Sequence, residues 1–209
     1  KAWQYSMQGH AEQCVDRCLE LTGKDIGSLK TVSTPCVDDH LLSPEDFNEK
    51  GEVAEVASRT VLKALYLART SRPDVVWSVI TLARKVTKWD QACDKRLLRM
   101  ISYLNSTKEK VQVNYVGDPI SKCKIYLFVD ASFAGDLSDS KSNFRSNHGH
   151  SRTKYMVPVT WLCKKQGAVS HSSTEAEVIA LESALRVEGI TALMLWDLVT
   201  EVFYPEATC

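Results

Sequence analysis

One short segment of the chain leaves little choice of environment. Ile125-Tyr126-Leu127-Phe128-Val129 is an unbroken apolar run of β-formers that ends directly in Asp130. A run with no polar alternate residue suits a strand covered on both faces, so it predicts a central strand of a sheet. An aspartate at the end of such a strand is costly to keep ionised unless a partner or a metal neutralises it. Asp130 is therefore the leading site candidate. The plainer alternative is that it only caps the turn Ala131-Ser132-Phe133-Ala134-Gly135.

The pattern before this strand is helical. Ala11 to Leu21 carries apolar or small residues at Cys14, Val15, Cys18, Leu19 and Leu21, and Thr22-Gly23 ends the period. Lys24 to Glu55 has no sustained period and reads as a surface connection. Val61, Leu62, Leu65, Tyr66 and Ala68 then form one stripe. Pro73 and Asp74 suit the first turn of a second helix, in which Val75, Val79, Leu82, Ala83 and Val86 face one way. A third helix starts after Asp90 and buries Cys93, Leu97, Met100, Ile101 and Leu104, with Lys95, Arg96 and Arg99 outward. These three helices are expected to pack together.

From Val111 the period changes. Val111, Val113 and Tyr115 alternate as in a strand, as do Val157, Val159 and Trp161, and Ala168 to His171 could re-enter the sheet. A long helix opens at Ser172 or Ser173, with Val178, Leu181, Ala184 and Leu185 inward. Gly189 is expected to break it before a last helical stretch holding Leu195, Trp196 and Val199.

The start of that long helix supplies a second carboxylate. Glu175 and Glu177 stand about 200° apart around a helix axis, so only one can face a sheet. Ser172 and Glu175 form a capping box, which leaves Glu177 on the side of Ala180, Leu181 and Ala184, beside Asp130. Carboxylates converging from a strand end and a helix make a hard-oxygen site suited to Mg²⁺ or Mn²⁺. A pair of such ions about 4 Å apart promotes phosphodiester hydrolysis.

Charge gives no global pull on a polyanion, since 26 Lys and Arg match 26 Asp and Glu. Nucleic-acid contact must come from local patches. Arg69, Arg72, Arg84, Lys85, Lys88, Lys95, Arg96, Arg99, Lys108 and Lys110 give the helical layer a basic cast, and Lys164-Lys165 add a pair later in the chain. Arg96, Arg99, Lys108, Lys164 and Lys165 are the candidate nucleic-acid contacts, set against an ordinary solvated surface.

The seven cysteines are scattered and odd in number, as for reduced intracellular thiols. Cys14 and Cys18 read as two half-buried thiols, not a zinc pair. No apolar run approaches the ~20 residues of a bilayer span. With no initiator Met and no signal-peptide pattern, the expectation is an intracellular piece of something longer, with no membrane partner.

Three motifs in order, Asp130 to Asp136, Trp161 to Gln166 and Ser172 to Glu177, resemble the ribonuclease H domain of copia-type retroelements. Upstream, Val32 to Pro35, Tyr66 to Thr70, Arg72-Pro73-Asp74, Arg96 to Arg99, Tyr103-Leu104 and Thr107-Lys108 are similar to the segment joining reverse transcriptase to that domain.

The resemblance implies an α/β fold with a ribonuclease H-like mixed sheet and flanking helices, incomplete here. Residues 116-209 would hold this domain, after a mostly helical connection segment at 1-115. It implies cleavage of the RNA strand of an RNA/DNA hybrid with two divalent ions. Asp130 corresponds to the first catalytic aspartate and Glu177 to the helix glutamate. The implied partners are the hybrid, the upstream reverse transcriptase palm and the downstream remainder of the ribonuclease H domain. A third aspartate belongs on a strand beyond the helix, and Asp197 does not match it.

The sequence departs from that pattern at Ser132, where a second acid is tolerably replaced, and at Lys141 to Tyr155. There the polar run Ser146 to Tyr155 could not fill a central strand, as in a degenerate or frame-disturbed copy. Cys36-Val37-Asp38-Asp39 mimics a polymerase Tyr-x-Asp-Asp box but reads as an acidic loop. His148 and His150 read as solvated.

The leading function is thus a ribonuclease H-like hydrolase region, incomplete or inactive as it stands. One alternative is a non-catalytic module that grips an RNA/DNA hybrid or docks on a polymerase. The other is a haloacid-dehalogenase-type phosphatase, which Ser132 and the missing threonine disfavour.

Overall fold

The computed structural model describes residues 2–115, 117–119, 122–136, 139–143, 157–167 and 169–205, and only the backbone of 132–136 and 139–143. They form a mixed α/β arrangement of helices and a small, incompletely closed sheet. No helix among them is long and apolar enough to cross a membrane. The chain divides into two compact units, Ala2–Val113 and Asn114–Cys209.

The first unit is a packed layer of four helices. α1 (Gln8–Thr22) buries Ala11, Cys14, Val15 and Cys18, one stripe at helical spacing, and stops at Gly23, whose φ of 64° is the left-handed geometry that glycine adopts without strain. α2 (Ala57–Thr70) packs on α1 and on α3 (Val76–Arg84), while α4 (Gln91–Ser106) packs on α1 and α3. Asp90 caps α4 by accepting a hydrogen bond from the Cys93 N–H at 2.8 Å. All five residues expected to line the α4 core are buried: Cys93, Leu97, Met100, Ile101 and Leu104.

The α2 stripe is out of phase with expectation. Ala57, Thr60, Val61, Ala64, Leu67 and Ala68 face inward, whereas Leu62 is 60% and Tyr66 58% exposed. Small residues at Ala57, Ala64 and Ala68 let α2 approach its neighbours closely beside Val61 and Leu67, and Leu62 and Tyr66 are left outside. Val79 and Leu82 of α3, and Val75 in the 3-10 turn Pro73–Val75 that leads into it, are buried as expected; the helix ends at Arg84, so Val86 falls in the turn beyond.

Between α1 and α2 the chain makes three short 3-10 turns, at Ile26–Ser28, Asp39–Leu41 and Pro44–Phe47. Its end is stitched to the start of α4. The Gly51 N–H donates to the Trp89 carbonyl at 3.2 Å, and the Gln91 N–H donates to the Glu49 carbonyl at 3.1 Å. Asp94 accepts from the Glu52 N–H and from the Trp89 indole, each at 2.6 Å.

β1 (Ala2–Tyr5) pairs with β2 (Gln112–Tyr115), and the division between the units falls within β2. Alternation at Val111, Val113 and Tyr115 marks β2 correctly as a strand, but these three are exposed and Asn114 is the buried residue.

The second unit contains an antiparallel meander of β3 (Asp130–Asp136), β4 (Asp139–Asn143) and β5 (Cys163–Lys165), in the order β3-β4-β5. Ile125 to Val129 is not part of it. That run precedes the first paired residue, and Ile125, Tyr126 and Leu127 are each well exposed, so the expected doubly covered strand is not formed. Val157, Val159 and Trp161 likewise lie before β5, and not in a strand. Of the polar stretch in the sequence, Lys141 to Asn143 belong to β4; 144–156, with His148 and His150, lie outside the described residues.

α5 (Ser173–Ala184) packs on β3 and β4 through Ala176, Ala180 and Ala184, all fully buried. This row of small side chains, four residues apart, sets the inward face. Val178, Leu181 and Leu185, expected inside, lie about 100–160° from its centre and are exposed.

Gly189 does not end the helix. Leu185–Gly189 form a π-helical turn that leads without a break into α6 (Ile190–Phe203), and Gly189 keeps a right-handed helical φ of −64°. A side chain there would start 3.3 Å from Leu185 Cδ2 and 3.4 Å from Leu127 Cδ2, so the glycine serves close packing in place of chain reversal.

Candidate functional site

Asp130 opens β3, its backbone opposite Asn143 of β4, with an exposed side chain. The burial expected of it does not arise, because the preceding apolar run is itself uncovered. Glu177 lies in the second turn of α5, about 60° from the centre of the alanine row, and is exposed. Glu175 lies about 140° away on the far side. Its carboxylate accepts from the His171 N–H at 2.6 Å, while the Ser172 hydroxyl accepts from the Glu175 N–H at 3.1 Å. Glu175 is thus committed to capping, as the Ser172–Glu175 spacing implies.

Among the described residues no group of three or more His, Cys, Asp or Glu side chains is arranged to hold a metal ion. Two carboxylates fall short of the oxygen donors that a pair of Mg²⁺ or Mn²⁺ ions requires. A cleft of about 220 Å³ lined by Cys18, Leu19, Val53, Asp94, Lys95 and Leu97, among others, contains none of the candidate site residues.

The cations expected on the helical layer are largely engaged within the first unit. Arg96 pairs with Asp39 at 2.6 Å and lies over the Phe47 ring, and its side chain is 13% exposed. Arg99 donates to the Thr34 carbonyl and hydroxyl, both at 2.9 Å. Lys95 pairs with Asp46 at 2.6 Å, which holds the Asp46 carboxyl below the usual aspartate range, with help from the Ser43 N–H. Together they fasten the Thr34–Phe47 connection to α4. Lys108 is half-buried and makes no hydrogen bond or ion pair among the described residues. In the second unit Lys164 and Lys165 are both exposed on β5, but neighbouring strand positions point to opposite faces, so they do not form one patch.

The acidic loop has a structural purpose. Asp38 accepts from the His40 N–H at 3.1 Å to start a 3-10 turn, and Asp39 receives Arg96.

One polar cluster was not singled out as a unit by sequence reasoning. Arg72, 3% exposed, donates to both carboxylate oxygens of Asp74 and to the carbonyl and hydroxyl of Thr107, at 2.7–2.9 Å. The Tyr103 hydroxyl donates to Asp74 at 2.8 Å and receives Lys110 Nζ at 2.7 Å. Burial opposes ionisation of Asp74, but Arg72, Tyr103 and Lys110 outweigh it and keep its carboxyl below the ordinary range. The signal was present in the motif residues Arg72-Pro73-Asp74, Tyr103 and Thr107. In this fold they tie the α2–α3 corner to the end of α4.

These features meet a consistent pattern of relationship. The chain is homologous to Pol polyproteins of copia-type retrotransposons. It is 30% identical over 174 residues to the retrovirus-related Pol polyprotein from transposon TNT 1-94 of Nicotiana tabacum, covering 81% of this chain and 12% of that protein. It is 28% identical over 150 residues to the Pol polyprotein from transposon RE1 of Arabidopsis thaliana, covering 72% of this chain and 10% of the relative. The chain thus spans about a tenth of the length of these curated relatives.

A shorter relative, secreted RxLR effector protein 161 of Plasmopara viticola, is 30% identical over 125 residues, 57% of this chain and 80% of the effector. The chain belongs to the same family as this effector, four fifths of which it covers. No family model matches it. No solved structure matches it either.

Proposed function

We propose that this chain is a segment of a retroelement Pol polyprotein whose residues 116-209 derive from a ribonuclease H domain and whose residues 1-115 derive from the connection to reverse transcriptase. In the complete domain it hydrolyses the RNA strand of an RNA/DNA hybrid inside the cell, with Mg²⁺ or Mn²⁺ as cofactor. The observation that carries the reading is the 174-residue match, across 81% of the chain, to a Pol polyprotein. The capped helix α5 laid against the strand that Asp130 opens adds support.

Asp130 and Glu177 are the two carboxylates assigned to the metal site in this reading. Since the described donors do not fit a two-ion site, cleavage is not expected of the chain as it stands. Reverse transcriptase upstream and the rest of the domain downstream are its partners.

The test uses the chain extended by its natural downstream sequence, a labelled RNA/DNA hybrid and Mg²⁺. RNA-strand cleavage that Asp130→Asn abolishes, with hybrid binding retained, is the expected result. An extended form that binds the hybrid without cutting it would sink the nuclease reading. Full activity in Asp130→Asn would show that the site is misassigned.

A further inference from the structure

The outward face of α2 is the least expected surface of the first unit. Leu62 and Tyr66, which the hydropathy pattern assigns to the core, are exposed there. Arg59 and Arg69 share the arc: with Arg59 as origin, Tyr66, Leu62 and Arg69 fall within about 80° around the axis, over about 15 Å of its length. Both arginines are exposed, and neither guanidinium makes an ion pair or hydrogen bond among the described residues. This sets them apart from Arg72, Arg96 and Arg99, whose guanidinium groups are engaged inside the unit.

β1 leads into the residues that meet the end of α2. β1 places Trp3 and Tyr5 at alternate positions, both about half exposed, and the chain two residues on is fastened to α2 by the Thr70 hydroxyl donating to Met7 Sδ at 3.0 Å. Tyr66 is braced from α1 by the His10 ring, centroid to centroid 5.2 Å. Neither β1 nor α2 contains a carboxylate, and the segments Ala2–Ala11 and Val56–Pro73 are free of acidic residues in a chain that is neutral overall.

We infer that this face of α2, with Arg59, Leu62, Tyr66 and Arg69, binds a single-stranded stretch of nucleic acid. Unpaired arginines give phosphate contacts, and exposed aromatic rings give platforms on which unpaired bases stack. A protein partner would also favour tyrosine, tryptophan and arginine. The lack of any acidic residue on both elements favours the polyanion. The inference does not depend on the carboxylate site, none of whose residues lies in this unit.

The test measures anisotropy of a labelled oligodeoxythymidine of about 12 residues on the full chain across a salt series. Binding at low ionic strength is expected. Arg59→Ala and Arg69→Ala should each reduce the slope of log affinity against log salt by about 0.7, the value for one phosphate contact on a single strand. Tyr66→Ala should weaken binding about tenfold at every salt concentration by removing one stacking platform. Lys30→Ala, an exposed cation on the connection, should leave both readouts unchanged. All four positions are on the surface, and unaltered circular dichroism identifies the folded variants. The inference is overturned if the oligonucleotide does not bind at low salt, or if the arginine variants keep the wild-type slope. Loss of a protein partner from the same variants with oligonucleotide affinity intact would reassign the face to protein docking and overturn it equally.

Discussion

Arg72 and Asp74 hold each other through two parallel hydrogen bonds, Nε to Oδ1 at 2.9 Å and Nη2 to Oδ2 at 2.8 Å, with the guanidinium almost wholly out of solvent. A fork-to-fork pair of this kind fixes direction as well as distance. Here it also carries Thr107 and Tyr103, so it joins the α2–α3 corner to the last turn of α4.

Arg72 is the buried member of this pair, so removing the Asp74 carboxylate leaves a desolvated guanidinium without its counter-charge. Asp74→Asn, which strands the Arg72 charge, should lower the unfolding free energy by about 3 kcal/mol in urea titration. Tyr103→Phe removes one hydrogen bond to a charged group and should cost about 1.5 kcal/mol. A wild-type midpoint in Asp74→Asn would mean that the cluster contributes nothing to stability.

The same pair predicts the acid response. Asp74 ionises more readily in the folded chain than at the ordinary 3.8, so the unfolded state binds its proton first. Its stabilising contribution is complete above that ordinary value and disappears as pH falls through the lower folded value. Unfolding free energy measured between pH 6 and pH 2 should drop along this limb, and Asp74→Asn should make the limb shallower. A limb of unchanged steepness in the variant would remove Asp74 from the account.

Gly51 stands where no side chain fits. A Cβ there would sit 2.6 Å from the Asp90 carbonyl oxygen and 2.6 Å from Trp89 Cδ1. The first is backbone that also caps the start of α4, so it cannot yield cheaply. Gly51→Ala should cost about 2 kcal/mol, read as a lower melting temperature, whereas Gly27→Ala, with open space around it, should change little.

Burial pushes the Cys14 and Cys18 thiols up to about 11 and that of Cys93 up to about 12. At pH 8 the thiolate needed for alkylation is then scarce as well as covered. Peptide mapping after iodoacetamide treatment should find these three unmodified in the native chain and modified in urea. Native labelling at the denatured rate would contradict the packing of α1 against α4.

α6 presents Leu193, Met194, Leu198, Val202 and Phe203 to solvent, and none of its residues is buried. Leu198→Lys combined with Val202→Glu should change stability by no more than about 0.5 kcal/mol per site. It should also reduce binding of a hydrophobic fluorescent dye. A large loss of stability would show that α6 is packed in solution.

Legibility from sequence followed how many independent signals agreed at each element. In α4 the cap at Asp90 and the period through Leu104 pointed the same way, and the five residues read as its core are buried, although Ala92, Ser102 and Tyr103 join them and Arg96 is nearly covered. In α2 the apolar positions supported two phases a residue apart. Alanines at 57, 64 and 68 decided between them, because small side chains permit close helix approach even though they add little hydropathy. The same effect governs α5, where Ala176, Ala180 and Ala184 displaced the larger Val178, Leu181 and Leu185 from the interface. For Asp130 the reading rested on a neighbour. Its expected burial required Ile125 to Val129 to be covered, and that depends on partners a local pattern does not specify. The capping role of Glu175 needs only its own turn, and it was legible.

The π turn at Leu185–Gly189 fixes the aim of the last helix. The Ile190 N–H reaches the Leu185 carbonyl five residues back, so the turn holds one residue more than an α-helical turn would. One residue corresponds to about 100° of rotation. Trp196 and Val199, the half-covered side of α6, therefore point about a third of a revolution away from where an uninterrupted helix would set them. A single deletion within those five residues would turn every side chain of α6 through that angle and leave the alanine face of α5 seated where it is.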